Sequence, residues 1–478
     1  MNANSRIDRP TDIAPFDFLR SGVVVTGGAV LLTGACDWFG TSLHPIWPLQ
    51  WLIPIFPLVC AARYGWRSGF LVSFLGLLIG NLNQLTYLRD LIRLPTPILI
   101  LAIAGPGLLL ALAVGVWRRL VNRGLLVAGP VMFALVFVGI EWTFFLPTDG
   151  ATQGLTAYAQ VPFIPFLQVA SLGGVPAMEF LLLFLPASLA VLAVPSADLG
   201  RRRIAAWIGV GITAAVVVLA NLPMLFPYRG AVVKVAAAAA DDPQDPIGAY
   251  LACRNELMKQ GAKLIVFPEK IATVDPTQLA AWDKALGAPE APTVVGLHVT
   301  RPRKLNLARV YEVSRIDTYV KQHLVPGLEL GYEPGHEMLS EPLGQTAFGV
   351  EICRDMGYPS LSRQYPASDA MLAVPAWDFD VDGRWAEQIA MVRGVEIGAS
   401  VVRAGRDGMV SITDSSGRVL CETPSGSTTP AIAIADVPTT SRWTFYKAFG
   451  HVPFLILAAL LAVLDAALTL GPKLRKHA

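Results

Sequence analysis

Three strand-like runs of this chain lead into residues able to do covalent chemistry. "KLIVFPE" closes on Glu269, "DTYVKQHLVPGLE" carries Lys321, and "FGVEICRDMGYPS" sets Cys353 directly before Arg354 and Asp355. Open α/β sheets place their chemistry just beyond strands of this kind. A thiol becomes a nucleophile when a base takes its proton. A carboxylate can be that base, and a nearby ammonium favours the thiolate and stabilises the oxyanion that attack creates. Singly, each residue has a plainer reading: a carboxylate after a strand caps a helix, a lone lysine is solvated, and a lone cysteine is a small core hydrophobe. It is the combination of the three contexts that favours chemistry.

The rest of the chain must hold these residues, and most of it is apolar. Of 478 residues, 53% are hydrophobic and 15% charged, with a mean hydropathy of +0.50, which reads as an integral membrane protein. A net charge of +2 makes no electrostatic case for nucleic acid. The five cysteines form no C-x-x-C pair, and the six histidines are scattered, so neither a disulfide framework nor a metal site is supported. Cys253 and Cys421 read as buried small hydrophobes, with a bridge between them open in an oxidising compartment.

Apolar stretches near bilayer length lie at 20–39, 46–62, 67–83, 95–117, 124–146, 174–194 and 204–227, with one more from Val452. That predicts about eight helices and three parts: a transmembrane domain over 1–227, a globular domain over 228–445, and a final helix with a basic tail over 446–478. Arg6, Arg9 and Arg20, then Arg63 and Arg67, then Arg118, Arg119 and Arg123, then Arg201, Arg202 and Arg203, and finally Lys473, Arg475 and Lys476, fall in alternate connections. Of the intervening short connections, only the one with Arg89 and Arg93 is basic. The bias predicts both termini inside and the globular domain outside. Glu141 and Glu179, within apolar spans, point to a polar contact inside the bundle.

In the globular part, "AVVKVAAAAA", "AKLIVFPE", "PTVVGLHV", "LNLARVYEV", "TAFGVEIC", "AMLAVPA", "ASVVRAG" and "GMVSITD" read as strands. "PIGAYLACRNELMKQG" and "GRWAEQIAMVRGVEIG" between them read as helices, which predicts a sheet covered on at least one face.

The contexts of the three polar residues resemble those of the carbon–nitrogen hydrolase, or nitrilase, superfamily, whose catalytic Glu, Lys and Cys occur in this order. The matching segments are "LIVFPE", "YVKQHLVP" and "GVEICRDMGYP". The stretch from "VPAWDFDVDGRW" through "MVRGVEIG" to "SITDSSGRV" is similar to the family's following strand, helix and hairpin. Seven spans, an extracytoplasmic domain of this kind and one last span further resemble the apolipoprotein N-acyltransferases, over about 20–471. Glu329 stands eight residues after Lys321, as a second glutamate does in that family.

The resemblance implies a polytopic α-helical membrane bundle carrying an αββα sandwich, in the bacterial inner membrane with the catalytic domain on the periplasmic side. It implies catalytic Glu269, Lys321, Cys353 and Glu329, substrate contacts at Arg354, Asp355 and Trp377, and no metal or nucleotide cofactor. The partners it implies are a phospholipid acyl donor, a lipoprotein acceptor and the bilayer, with no nucleic acid. Cys353 then takes the acyl chain as a thioester, with Glu269 as base and Lys321 favouring the thiolate, and the α-amine of an N-terminal cysteine receives it. The chain departs from the family pattern in having Arg354 and Asp355 where Tyr and Glu are usual, Trp377 in "VPAW" for "NDAW", and Lys270 where a small residue is common. It also lacks the usual tryptophan soon after the first domain strand. A membrane-tethered nitrilase-type amidase or acyltransferase with a non-lipoprotein substrate is the second reading, and an inactive scaffold is the third.

Overall fold

The computed structural model describes residues 15–145, 151–195, 198–226, 228, 230–240, 243–426 and 430–475. Arg6, Arg9 and Lys476 of the charge pattern, and the domain limits at 1, 227 and 478, lie outside the described residues. The first part is helical: α1 (Pro15–Gly40), α2 (Ile55–Tyr64), α3 (Trp66–Asn81), α4 (Thr96–Val121), α5 (Ala128–Phe145), α6 (Ile164–Leu167), α7 (Ala170–Ala190) and α8 (Leu199–Asn221). Five helical stretches among the described residues are long and apolar enough to cross a bilayer: Gly22–Gly40, Thr96–Val121, Ala170–Ala193, Leu199–Leu225 and Val452–Leu470. The stretch expected at 46–62 is broken by a 3₁₀ turn over Trp47–Leu52 with Pro48 inside it, leaving α2 only 10 residues, about 15 Å of helix.

The globular part is two stacked sheets between helices. One sheet is built from β1 (Val232–Ala239), β2 (Leu264–Val266), β3 (Thr273–Val274), β4 (Thr293–Val299), β5 (Leu305–Tyr311) and β6 (Ile316–Val320). The other is built from β7 (Ser340–Leu343), β8 (Thr346–Val350), β9 (Asp369–Trp377), β10 (Ser400–Arg406), β11 (Met409–Thr413) and β12 (Val419–Pro424), while β13 (Ala431–Pro438) returns to the first. Their orders are β13-β1-β2-β4-β5-β6, with β3 on β4, and β12-β11-β10-β9-β8-β7. The alanine run explains itself here. Alternate side chains point to opposite faces of a strand, and β1 is buried on both: Ala237 and Ala239 pack between the sheets, while Ala236 and Ala238 pack outward. Small side chains let both layers approach this central strand.

Helices α9 (Pro246–Lys259) and α10 (Pro276–Leu286) cover the outer face of the first sheet through Tyr250, Leu257, Trp282 and Leu286. After the short α11 (Pro359–Ser362), α12 (Gly383–Ile397) covers the outer face of the second. Helix α12 is itself enclosed, because its far side packs on α7 in one continuous core with Val175, Met178 and Val395. The chain closes with α13 (Phe445–Phe449) and the apolar α14 (Val452–Arg475), whose Asp465 accepts from the N–H of Val127 (3.2 Å) and Ala128 (2.8 Å) at the start of α5. Cys253 and Cys421 are free thiols on opposite faces of the first sheet, so the bridge left open by the sequence does not form. The side chains of Glu141 and Glu179 meet inside the bundle, and Glu179 also accepts from Ala157 N–H at 3.4 Å.

The seam between bundle and sandwich is polar at its centre. Helix α7 is interrupted at Gly173 and Gly174, the latter at φ +68, where a Cβ would run into the Tyr446 ring and the Glu396 carboxylate. The interruption frees Val175 N–H to donate to Glu396 Oε1 at 3.0 Å, and Glu396 also pairs with the fully buried Arg393. Removing one partner of such a pair strands the other charge. Arg393→Met should therefore cost about 3–5 kcal/mol, and the paired change with Glu396→Gln should cost less. Thermal unfolding in detergent checks this: a double variant less stable than Arg393→Met would refute it.

Candidate active site

Glu269, Lys321 and Cys353 meet at one end of the sandwich, each just past a strand. Glu269 lies three residues beyond β2, Lys321 directly follows β6, and Cys353 opens a 3₁₀ turn (Cys353–Gly357) three residues beyond β8. The strand-like run before the lysine is β6, a short edge strand of five residues. Lys321 is almost fully buried, its Nζ 2.9 Å from Glu269 Oε1 and 3.1 Å from Glu329 Oε2. Asn306 Nδ2 donates to both carboxylates, at 2.5 Å to Glu269 and 2.6 Å to Glu329. The remaining oxygen of Glu269 accepts from Trp377 N–H at 3.1 Å, and that of Glu329 from Val325 N–H at 2.7 Å. Buried charges persist only when paired and hydrogen-bonded, and every oxygen of this pair is occupied.

Sequence reasoning missed two members of this cluster. Asn306 is a fully buried polar residue inside the apolar strand "LNLARVY", a signal that could have found it. Lys270, noted only as a departure, places its Nζ 2.6 Å from Glu329 Oε1 and 4.0 Å from Glu269 Oε1. Burial works to raise the Glu329 carboxyl, yet Lys321 and Lys270 together bring it down to about 2. Burial works against the Lys321 ammonium, but Glu269, Cys353 and Glu329 outweigh it and hold the proton more firmly than usual.

Cys353 is partly exposed, in a left-handed conformation (φ +45) uncommon for a residue with a side chain, and its Sγ is 3.6 Å from Trp377 O. Its enclosed surroundings and then Glu269 push the thiol up, against Lys321. Lys321 favours the thiolate, as expected, but burial and Glu269 outweigh it, so the net direction for the thiol is upward. On the far side Asp378, pushed up to about 6 by burial, takes a 2.5 Å hydrogen bond from Arg403.

The three residues expected to touch substrate have different surroundings. Trp377 is 41% exposed, its ring N–H on Asp407 at 2.8 Å and the Arg406 guanidinium 4.5 Å from its centroid. Arg354 is partly buried and donates to Tyr358 OH at 3.1 Å and 3.3 Å. Asp355 is fully enclosed, and its carboxylate is consumed by Tyr319 OH (2.8 Å), the backbone N–H groups of His323 (2.8 Å) and Ile352 (3.2 Å), and the His323 ring (3.0 Å). It is a brace joining the lysine loop to the Cys353 turn, not a substrate contact.

The turn is also tied to the membrane part. Thr152 donates to Gly357 O from its backbone (2.8 Å) and its hydroxyl (2.9 Å), Gln153 donates to Arg354 O at 3.1 Å, and Trp385 donates to Gln153 O at 3.1 Å. Thr152 shares a 2.5 Å hydrogen bond with Tyr158, which accepts from Arg393 at 2.7 Å. From the segment after α3, Tyr87 OH donates to Asp382 at 2.6 Å beside the start of α12.

Residues 28–188 match the family described as "Apolipoprotein N-acyltransferase N-terminal domain". The chain is 25% identical over 469 residues to an apolipoprotein N-acyltransferase of Geobacter metallireducens, covering 85% of this chain and 88% of that one. It is 23% identical over 370 residues to one from Haemophilus ducreyi, covering 66% and 69%. Among solved structures, an amidase from Nesterenkonia sp. aligns with 48% of this chain and 96% of its own at 19% identity and a TM-score of 0.40. A CN-hydrolase superfamily protein from Xanthomonas campestris aligns with 44% and 91% at 16% identity and 0.38.

The low pKa of Glu329 fixes a pH dependence. A carboxyl at about 2 in the fold against an ordinary 4.5 contributes stability that is complete above the ordinary value and is lost as pH falls towards 2. The stability advantage of the wild type over Glu329→Gln should therefore shrink from pH 5 to pH 3 in thermal melts. An advantage unchanged across that window would contradict the buried pairing.

Proposed function

We propose, from this chain's likeness to apolipoprotein N-acyltransferases, that it is one of them and moves a fatty acyl chain from a membrane phospholipid to the α-amine of a lipoprotein N-terminal cysteine. The observation that carries this reading is the seam: the turn bearing Cys353 is hydrogen-bonded directly to the segment between α5 and α7. A nucleophile held there works at the membrane boundary, where ester and acceptor are both confined.

In this reading Glu269 takes the Cys353 proton as the sulfur attacks the ester carbonyl, since burial and Glu269 push the thiol upward. Two protons of Lys321 are directed by carboxylates; the third, with Arg354 N–H, meets the oxyanion. As the C–O bond breaks, Glu269 returns its proton to the departing lysophospholipid alcohol. The acceptor amine then attacks the thioester, gives a proton to Glu269, and the C–S bond breaks as that proton restores the thiol. Glu329 positions Lys321, because all its acceptor sites are taken. Trp377 and Arg354 are the proposed substrate contacts. The proposal keeps the three parts, 1–227, 228–445 and 446–478, and about eight spans from hydropathy, both termini cytoplasmic from the charge bias, and the sandwich in the periplasm of a bacterial inner-membrane protein from the family resemblance.

Protein incubated with phospholipid alone should gain the mass of one acyl chain on Cys353, lost to neutral hydroxylamine and discharged by a diacylglyceryl-cysteine peptide with a free α-amine. Cys353→Ala should gain none while remaining folded, and Lys321→Ala should fall at least 100-fold, an oxyanion donor being worth about 10²–10³. Discharge to water as fast as to the peptide would favour the amidase-like alternative. No thioester from folded protein with any phospholipid would refute the donor assignment.

A further inference from the structure

Lys270 is the charged member of the buried cluster that neither the triad nor its second glutamate accounts for. It follows Glu269 at φ +52, a conformation a side chain rarely adopts, and its ammonium is 2.6 Å from Glu329 and 4.0 Å from Glu269. Tyr332 lies beneath it, the ring centroid 4.8 Å from Lys270 Nζ and 4.3 Å from Lys304 Nζ, with His298 against the same ring. Counting formal charges, Glu269, Glu329 and Lys321 sum to one negative; Lys270 brings the cluster to zero. We propose that Lys270 is a positioning residue whose pairing with Glu329 balances this cluster, leaving Lys321 a net cation towards Cys353.

The groups facing the thiol make the balance decisive. Glu269 and Asp378 disfavour its ionisation, and Lys321 and Arg403 favour it. Arg403 is bound to Asp378 at 2.5 Å, so that pair offsets itself. What remains is the cluster of Glu269 with Glu329, Lys321 and Lys270. Without Lys270, one ammonium serves two carboxylates in an enclosed space, and its field at the sulfur is cancelled and reversed. Asn306 holds both carboxylates in place in either case, so the geometry can survive the loss of the charge. The inference rests on Cys353 being the nucleophile, but its test does not depend on the substrate.

The test is alkylation of Cys353 by iodoacetamide in the full-length, detergent-solubilised protein, followed by the mass of its peptide at pH 8. One pKa unit is tenfold in the thiolate fraction. Lys270→Met should slow alkylation about tenfold, and Lys270→Arg should stay within about twofold of wild type. The double variant Lys270→Met with Glu329→Gln, again neutral in sum, should recover most of the rate, although it removes one more contact than the single. Should Lys270→Met not fold, Glu329→Gln and the double variant differ by Lys270 alone, and the former should alkylate about tenfold faster. Equal rates for wild type and Lys270→Met, or for the two Glu329→Gln proteins, would overturn the proposal, as would a double variant no faster than Lys270→Met. Phospholipid charging in the same preparations separates the two readings: the predicted alkylation order without any acyl thioester would refute the donor assignment and leave the role of Lys270 standing.

Discussion

The ion pair between Lys321 and Glu269 constrains everything around it. Both groups are almost wholly removed from water, and an ammonium and a carboxylate survive there only if their remaining hydrogen-bonding capacity is met. That requirement brings in Asn306 from β5, Glu329 from the lysine loop and the backbone N–H of Trp377 from the end of β9. One sheet contributes the pair, and the other contributes Trp377 and Cys353. The stacking of the sheets is therefore also the assembly of the site, and a shift of one sheet over the other would strand a charge.

A second constraint comes from the bilayer. In a free-standing αββα sandwich, α12 would be a surface helix with one polar face. Here Glu387, Gln388, Arg393 and Glu396 are all buried, because α7 and the segment after α5 press on the side that would otherwise meet solvent. Arg393 answers by pairing with Glu396 and by donating to Tyr158, which leads through Thr152 to the Cys353 turn. The polar groups that the seam had to satisfy are thus the ones that tie the turn to the membrane part.

The sequence was most legible where one residue type serves one purpose. Eight of the strands and both helices singled out from periodicity are present, because apolar alternation and helical spacing state the buried face directly. Legibility failed in three ways. β12 lies at a sheet edge with no fully buried side chain, so its apolar residues mark no buried face. The stretch at 46–62 has the composition of a span, but Pro48 interrupts it and hydropathy does not register a turn. Asp355 looked like a pocket residue because it adjoins Cys353 in sequence; the 3₁₀ turn sends neighbouring side chains in different directions, and its carboxylate faces inward. What the chain order cannot express is closure: Asn306, Lys270 and Tyr319 matter through partners between 23 and 59 residues away.

A thiol that burial and Glu269 push upward changes what the proposed cycle asks of the cluster. If Cys353 stood ionised, a cation beside it would suffice and Glu269 would be needed only later. With the proton in place, attack and proton removal are one event, and the base must be ionised, oriented and within reach beforehand. For the proposed base, Glu269, the contacts supply the orientation: Lys321 and Asn306 fix one oxygen, and Trp377 N–H fixes the other in the strand whose carbonyl lies beside the sulfur. The same arrangement serves the reverse step of the proposed cycle, since a thiol that holds its proton strongly is a poor leaving group until a proton is returned to it. In that proposed cycle a thioester on Cys353 would wait for a group that protonated Glu269 can serve, and an amine, which supplies a proton as it attacks, would complete the exchange without help from bulk water.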